Sequence, residues 1–341
     1  MKIDFFSPKD FFTKYNYNPD NFPFTFLEGY STFLKENYNT EIQIACSDNG
    51  KEFIAVSINK SGYLSNAQLV SKPFSHKGSI DEYSEAFFIE KLLTELNKQN
   101  IADRLIPPLN FVVLKGHPKN TSFCRFGTYV VDLAIDSETL LANLHSKNRN
   151  VIVKAQKSEL LIKEGVDELP VFYDMYMQTM KRSDLFCEPY SKFESLYRNL
   201  GSNNCYCAVI YHNGQPQGAI LNPYTKYCCY YMYGSSSDSI TESGAINYLH
   251  WHTILKMKSS GLRYYDFVGA RLSDVSGTKL EGIQRFKQRF GGKLVEGYLI
   301  KADLNKFKCK TYDFLVGVKN SITKRKPYKD IIDQEIEKGA A

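Results

Sequence analysis

One succession of elements is written twice along this chain. In the first half, TFLEGYSTFLKENYN reads as a helix, EIQIACSDN and KEFIAVSIN as strands paired about a DNG turn, and DEYSEAFFIEKLLTELNKQN as an amphipathic helix closed by IADRLIPP. FVVLKG and TYVVDLAI then continue a sheet. The second half opens with helices through VFYDMYMQTMKRSD and SKFESLYRNL, followed by the strands CYCAVIYHNG, QPQGAILNPY and KYCCYYMYGSS. AINYLHWHTILKMKSSG follows as a helix, RYYDFVGA as a strand, GIQRFKQRFGG as a helix and KLVEGYLIK as a strand. A layout used twice predicts an α/β protein of two tandem units, each a mixed sheet flanked by helices. The expected limits are 1–140 for the first unit, 141–305 for the second, and 306–341 for a helical, charged tail.

A chain of 341 residues can fill two such cores, since single cores stop growing near roughly 250–300 residues. Its net charge of +6 is too weak for a protein that coats nucleic acid, but it suits an anionic small molecule or one phosphate-bearing partner. No run approaches the ~20 apolar residues of a membrane span, and Asp4 and Pro8 interrupt the apolar start, so a cytoplasmic protein is expected. The eight cysteines lack CxxC or metal-knuckle spacing and read as reduced thiols. His250 and His252 stand two apart in a helical stretch and so point to different faces, and no metal or cofactor is expected.

The chain carries none of the GxSxG, GxGxxG, P-loop or HExxH motifs. That turns the search toward acyl transfer by positioning and electrostatics, without a protein nucleophile. Strands followed by a helix at ESGAINYLHWHTILKMKSSG are the layout of a GNAT-type N-acyltransferase, in which a helix N-terminus holds pyrophosphate. The loop of such a site reads (Q/R)xxGx(G/A). Here Gly244 is in phase, but Thr241 stands three before it and Ile246 two after, so the coenzyme A signature fails.

In GIQRFKQRFGG, residues 282–292, a lysine stands between two phenylalanines. At 100° per residue Ile283, Phe286 and Phe290 share one arc, Arg285 and Arg289 lie away from it, and Lys287 falls on its edge. Lys287 can either snorkel, with its stem on the aromatic surface, or reach into a cleft. A second basic cluster, Lys147, Arg149, Lys154 and Lys157, crowds the segment between the halves; it reads as a solvated face or as a track for a phosphate backbone.

Five strings in order, SKNRNVIVKAQKSELLIKEG, FYDMYMQTMKRSD, YYMYGSSS, AINYLHWHTILKMKSSGLRYYDFVGA and GIQRFKQRFGG, resemble the Fem family of peptidyltransferases over roughly residues 141 to 300. The resemblance implies two tandem GNAT-like domains. It also implies transfer of an aminoacyl group from aminoacyl-tRNA to an amine of a nucleotide- or lipid-linked cell-envelope precursor, without a stable nucleic-acid complex and with a peripheral position at the inner membrane face. The FKxxFG motif falls on Phe286–Gly291, which would make Lys287 the cation that stabilises the oxyanion.

Acceptor binding in the family maps to Thr179 and Arg182, to Tyr231 or Tyr233, taken to share one face of their strand, and to Lys35. Asp266 matches a family aspartate, and by its position where a strand meets a loop it reads first as a cap on the loop amides before Gly269. Lys147, Arg149, Lys154 and Lys157 would contact the tRNA. No heptad stretch provides the helical arm of longer members, so the compact form is the closer match. The alternatives are a coenzyme A-dependent N-acyltransferase acting on an amino sugar or similar acceptor, and a binding module without activity.

Overall fold

The run KLVEGYLIKAD forms the strand that joins the two halves. Lys293–Asp303 lies antiparallel to Ser122–Asp132 from Lys293↔Val130 to Lys301↔Ser122, and its end pairs with Arg104–Ile106. In the computed structural model, which describes residues 1–339 apart from 49, 61 and 76–79, this strand sits in the middle of one 11-stranded sheet. First-half strands Ile3–Phe6, Thr40–Ser47, Glu52–Asn59, Asn66–Leu69 and Arg104–Ile106 lie to one side, and Ser122–Asp132, Tyr264–Asp266 and Cys228–Tyr230 to the other. A second sheet of four strands runs in the order Tyr233–Ser236, Gln215–Pro223, Cys205–His212, Leu160–Glu164, antiparallel throughout. The fold is therefore α/β with sheets flanked by helices, as the repeated layout predicts, but only the 11-stranded sheet is mixed. The Asn49 position of the DNG turn lies outside the described residues.

Two expected strands change on folding. FVVLKG is not a strand: only Leu114 forms a bridge, exchanging backbone hydrogen bonds with Tyr298 at 3.0 and 2.8 Å. Phe111, Val112, Val113 and Leu114 are apolar because this segment is buried as a loop, and Pro107 and Pro108 just before it remove two ladder donors. KYCCYYMYGSS splits in two. Cys228–Tyr230 pairs parallel with Tyr264–Asp266, and Tyr233–Ser236 pairs antiparallel with Gln215–Pro223. Between them Met232 N donates to the Tyr230 carbonyl at 2.8 Å, a tight turn that passes the chain from one sheet to the other.

One core crosses the halves: Phe24, Phe33 and Phe53 share a buried cluster with Phe172, Phe193 and Val209. The helix Glu28–Tyr38 approaches Tyr190–Leu200 so closely that a Cβ on Gly29 would stand 2.1 Å from the Asn199 carbonyl oxygen. Asn37 and Glu36 fasten that contact through Ser195 at 2.9 and 2.8 Å. A second cluster packs the helix Ala245–Ser259 with Val131, Ile152, Tyr265, Phe267 and Phe290. Among the described residues, no helix is long and apolar enough to cross a membrane.

Candidate active site

The strand Tyr264–Asp266 ends where the second half meets the long Ser122–Asp132 strand, and the backbone beyond it is strained. Val268 has φ 54°, a left-handed conformation that a β-branched residue adopts only under constraint, and Gly269 follows at φ 73°. The constraint is visible. Val268 N donates to Asp266 Oδ1 at 2.7 Å, Phe267 N donates to the Tyr129 carbonyl at 2.9 Å, and Lys287 Nζ donates to the carbonyls of Val268 and, at 2.8 Å, Gly269. Thr128 Oγ1 donates to Asp266 as well.

Lys287 comes to this turn from the helix Lys279–Gln288, and the rest of its motif explains how. Phe286 and Phe290 pack on His250, with ring centres 5.2 and 5.4 Å away. Gly291 ends the helix at φ 74°, where a Cβ would meet the Asn143 carbonyl oxygen at 2.5 Å. The Arg289 carbonyl accepts from His145 N and Asn148 Nδ2, both at 3.1 Å. Ile283, placed with the phenylalanines by periodicity, is 49 % exposed, so the buried stripe is narrower than a full arc. The aromatic and glycine positions anchor the helix. That leaves Lys287 to reach the strained turn, with its ammonium spent on two carbonyls rather than on water.

Burial governs both charges. It pushes the Asp266 carboxyl up to about 6, against the hydrogen bonds from Thr128 and Val268 and the nearby Lys287 charge. It pulls the Lys287 ammonium down to about 8, against the attraction of Asp266. Asp266, Thr128, Lys72 and Tyr230 line a cavity of about 220 Å³ whose other walls are mostly apolar. A neighbouring cavity of about 500 Å³ shares Lys72, Tyr227 and Tyr264 and adds Lys115, Arg263 and Glu85. A largely apolar chamber with Asp266 and Lys72 on its wall, beside a second cavity lined by further cations, is suited to an electrophile whose charge develops inside it.

A second constellation lies where helix Leu169–Ser183 meets strand Tyr233–Ser236. Arg182 Nη2 donates to Ser236 Oγ at 2.7 Å, to its carbonyl at 3.0 Å and to Thr179 Oγ1 at 3.2 Å, and its other nitrogen pairs with Asp238. The fork is held in place but its charge partner is exposed, so an anion can exchange with Asp238 at small cost.

Tyr231 and Tyr233 do not share a face, because the turn at Met232 breaks the period of two. Tyr231 stacks edge-on to His250 at 4.4 Å with its hydroxyl over Gly234, whereas Tyr233 packs on Phe193 at 5.1 Å. Tyr233 also faces Lys192, whose ammonium stands 5.9 Å from that ring and 5.5 Å from the ring of Tyr38. Burial pulls the Lys192 pKa down, but Tyr233, Glu188 and Tyr38 outweigh it and leave the pKa above that of an ordinary lysine.

Lys35 stands apart from both groups, exposed and 3.5 Å from Glu41. On the helix Ser146–Ala155, Lys147 and Lys154 are exposed, as is Lys157 just beyond it. Arg149 turns back onto the carbonyls of Ala142 at 3.1 Å and Leu141 at 3.5 Å. Sequence reasoning missed Lys72, Thr128 and Lys192. Nothing local marks them, since each gains its setting from residues far along the chain.

The loop leading into helix Ala245–Ser259 is tied down by its own side chains, although no side chain caps the helix itself. Gln217 Oε1 accepts from Thr241 N at 2.7 Å and Glu242 N at 3.2 Å, and Glu242 Oε1 accepts from Gly244 N at 3.4 Å. Helix Ser146–Ala155 covers the site: a Cβ on Gly244 would lie 2.9 Å from the Ala155 Cβ. A pyrophosphate here would meet the Glu242 carboxylate and a crowded Gly244. The two histidines do face apart, with His250 buried against the Tyr265 hydroxyl and His252 3.1 Å from Glu164.

Consecutive strands Cys228–Tyr230 and Tyr233–Ser236 that part into two sheets, the helix Ala245–Ser259 that follows them and a cavity lined by Asp266 give the layout of a GNAT-type acyltransferase fold. The family model for the acetyltransferase (GNAT) domain matches residues 143–288. Among solved structures the chain is similar to FemX, with a TM-score of 0.67 at 13% identity over 90% of this chain and 98% of that one. It is also similar to the C-terminal domain of a protein proposed to be a lysylphosphatidylglycerol synthetase from Agrobacterium fabrum (TM-score 0.52, 13% identity, 91% and 97% covered). L-PGS from Bacillus licheniformis is a third (TM-score 0.51, 13% identity, 87% and 91% covered). No curated protein sequence matches. The resemblance to the Fem family thus extends over nearly the whole chain at the level of the fold.

Proposed function

We propose that this protein is an aminoacyltransferase that moves an aminoacyl group from aminoacyl-tRNA to an amine of a cell-envelope precursor. The observation that carries the reading is the buried Asp266 on the wall of an apolar cavity, with Lys287 held on the strained Val268–Gly269 turn near enough for its charge to be felt at that carboxyl. An aminoacyl ester is already activated, so a neutral amine and one preorganised cation suffice. The amine nitrogen bonds to the ester carbonyl carbon, and the oxyanion develops beside Lys287. The bond to the ribose oxygen then breaks. The proton lost by nitrogen passes by way of Asp266, whose raised pKa makes it a better acceptor than a surface carboxylate, and ends on the ribose oxygen.

In this reading the exposed Lys147 and Lys154 meet the tRNA, and Arg182 with Thr179 and Tyr233 meets the acceptor's diphosphate. FemX and the lysylphosphatidylglycerol synthetases, whose name describes joining lysine to a lipid, support a cell-envelope acceptor. The Glu242 carboxylate at that helix N-terminus and the packing of Gly244 on Ala155 weigh against a coenzyme A donor. The experiment is incubation with acetyl-CoA or with a set of labelled aminoacyl-tRNAs, each beside nucleotide- and lipid-linked muropeptides. Label passing from tRNA to the acceptor is expected. Consumption of acetyl-CoA alone would overturn the donor, and binding without turnover would leave a module without activity.

A further inference from the structure

The helix Lys306–Thr323 docks on the body with its polar side and turns its apolar side outward. On the inner side Cys309 is buried with its thiol on the Asp103 carbonyl at 3.3 Å, Lys308 pairs with Asp103 at 2.6 Å, Asp313 with Arg104 at 2.7 Å, and the Tyr312 ring stacks on Tyr63 at 6.2 Å. On the outer side Phe307, Phe314, Leu315, Val318 and Ile322 are exposed, Phe307 at 82 % and Ile322 at 76 %. At 100° per residue these five fall within one stripe about 100° wide. A helix on a water-bathed surface normally buries such a stripe. Here the inner ion pairs hold it facing away from the protein.

Lysines flank the stripe: Lys306 and Lys310 along one edge, Lys319 along the other, and Lys324, Arg325 and Lys326 just past its end. None of these six forms an ion pair among the described residues, and all are exposed. We propose that this helix seats the protein on an anionic lipid bilayer, lying in the interface with the five apolar side chains among the acyl chains and the flanking cations at the headgroups. Charge complementarity selects this occupant. An apolar stripe between cationic edges is the pattern of an interfacial helix. A nucleic acid would leave Leu315, Val318 and Ile322 against its phosphates without use, and a second copy docked through this face would set lysines against lysines. At 18 residues and with this polar inner side, the helix lies on a bilayer rather than spanning it. The inference stands apart from the acceptor's identity and from the chemistry at Lys287.

The test is flotation of the full chain with phosphatidylcholine vesicles, with and without phosphatidylglycerol. The parent should float only with the anionic vesicles, and less as salt rises. Phe314→Glu/Ile322→Glu, at exposed positions, should melt like the parent and remain in the aqueous fraction. Lys324→Ala/Arg325→Ala/Lys326→Ala should bind about a hundredfold more weakly, at about fivefold per cation. A parent that does not float, or a Phe314→Glu/Ile322→Glu variant that floats equally well, would overturn the proposal. So would a dimer in light scattering that the same variant abolishes, or a tRNA affinity lost with that variant, since either would give the stripe another occupant.

Discussion

Lys287→Met separates a catalytic cation from a structural one, and the structure sets the size of each effect. At neutral pH the buried ammonium is held against a pKa drop from 10.5 to about 8, at most about 3 kcal/mol, and less because the side chain is only partly enclosed. Methionine removes that penalty but leaves the carbonyls of Val268 and Gly269 without their donor, about 1 kcal/mol each. The two terms have opposite sign and similar size, so the melting temperature should shift by a few degrees at most. Turnover should behave differently. Loss of an oxyanion contact costs about 3–4 kcal/mol in the transition state, so kcat should fall by about 10²–10³ with both KM values nearly unchanged.

The assay is the initial rate of label transfer from aminoacyl-tRNA to acceptor, with circular dichroism melts on the same preparations. In the parent, the rate should decline as pH rises through about 8, where Lys287 loses its proton. The variant should lack this alkaline limb. Its acid limb should move upward, because the Lys287 charge no longer lowers the Asp266 pKa. A Lys287→Met protein that turns over like the parent, or a parent rate that is flat across about pH 8, would refute the reasoning.

Asp266→Asn should stabilise the protein while slowing it. The folded pKa of about 6 lies above the ordinary 3.8, so the stabilising contribution of this carboxyl is complete below about 3.8 and is lost as pH rises through 6. Thermal melts at pH 7 should then rise, by up to about 3 kcal/mol of stability, and the gain should vanish near pH 4; an unchanged or lower melt at pH 7 would count against a buried ionised carboxylate. Arg182→Lys keeps the charge but not the fork that grips Ser236 and Thr179, so acceptor KM should rise while tRNA binding stays; equal acceptor KM values would remove Arg182 from the site. Lys147→Ala/Lys154→Ala should weaken charged-tRNA binding and reduce its salt slope by about one to two units, and an unchanged slope would return the pair to a solvated face. Arg149 is a poorer choice for that experiment, because it already holds the Ala142 carbonyl.

Periodicity and turn chemistry were enough to read the succession of elements. The helices at Glu28–Tyr38, Glu82–Lys98, Leu169–Ser183, Tyr190–Leu200 and Ala245–Ser259, and most of the strands, lie where their local patterns put them. Phe286, Phe290 and Gly291 were legible too, since each answers to a demand of its own helix end. Local pattern failed where burial came from afar. FVVLKG looks like a strand because it is apolar, yet it is apolar as a packed loop, and Tyr231 and Tyr233 lost their common face to a turn that only the parting of two sheets requires. The pairing of Lys287 with Val268 and Gly269, the contact of Thr128 with Asp266 and the meeting of Lys192 with Tyr38 span 18 to well over a hundred residues. The 3.6- and 2-residue periods report which side of an element faces inward. They hold no information on which other element waits there, and the strained turn, the shifted pKa values and the cavity exist only once the sheet has closed around them.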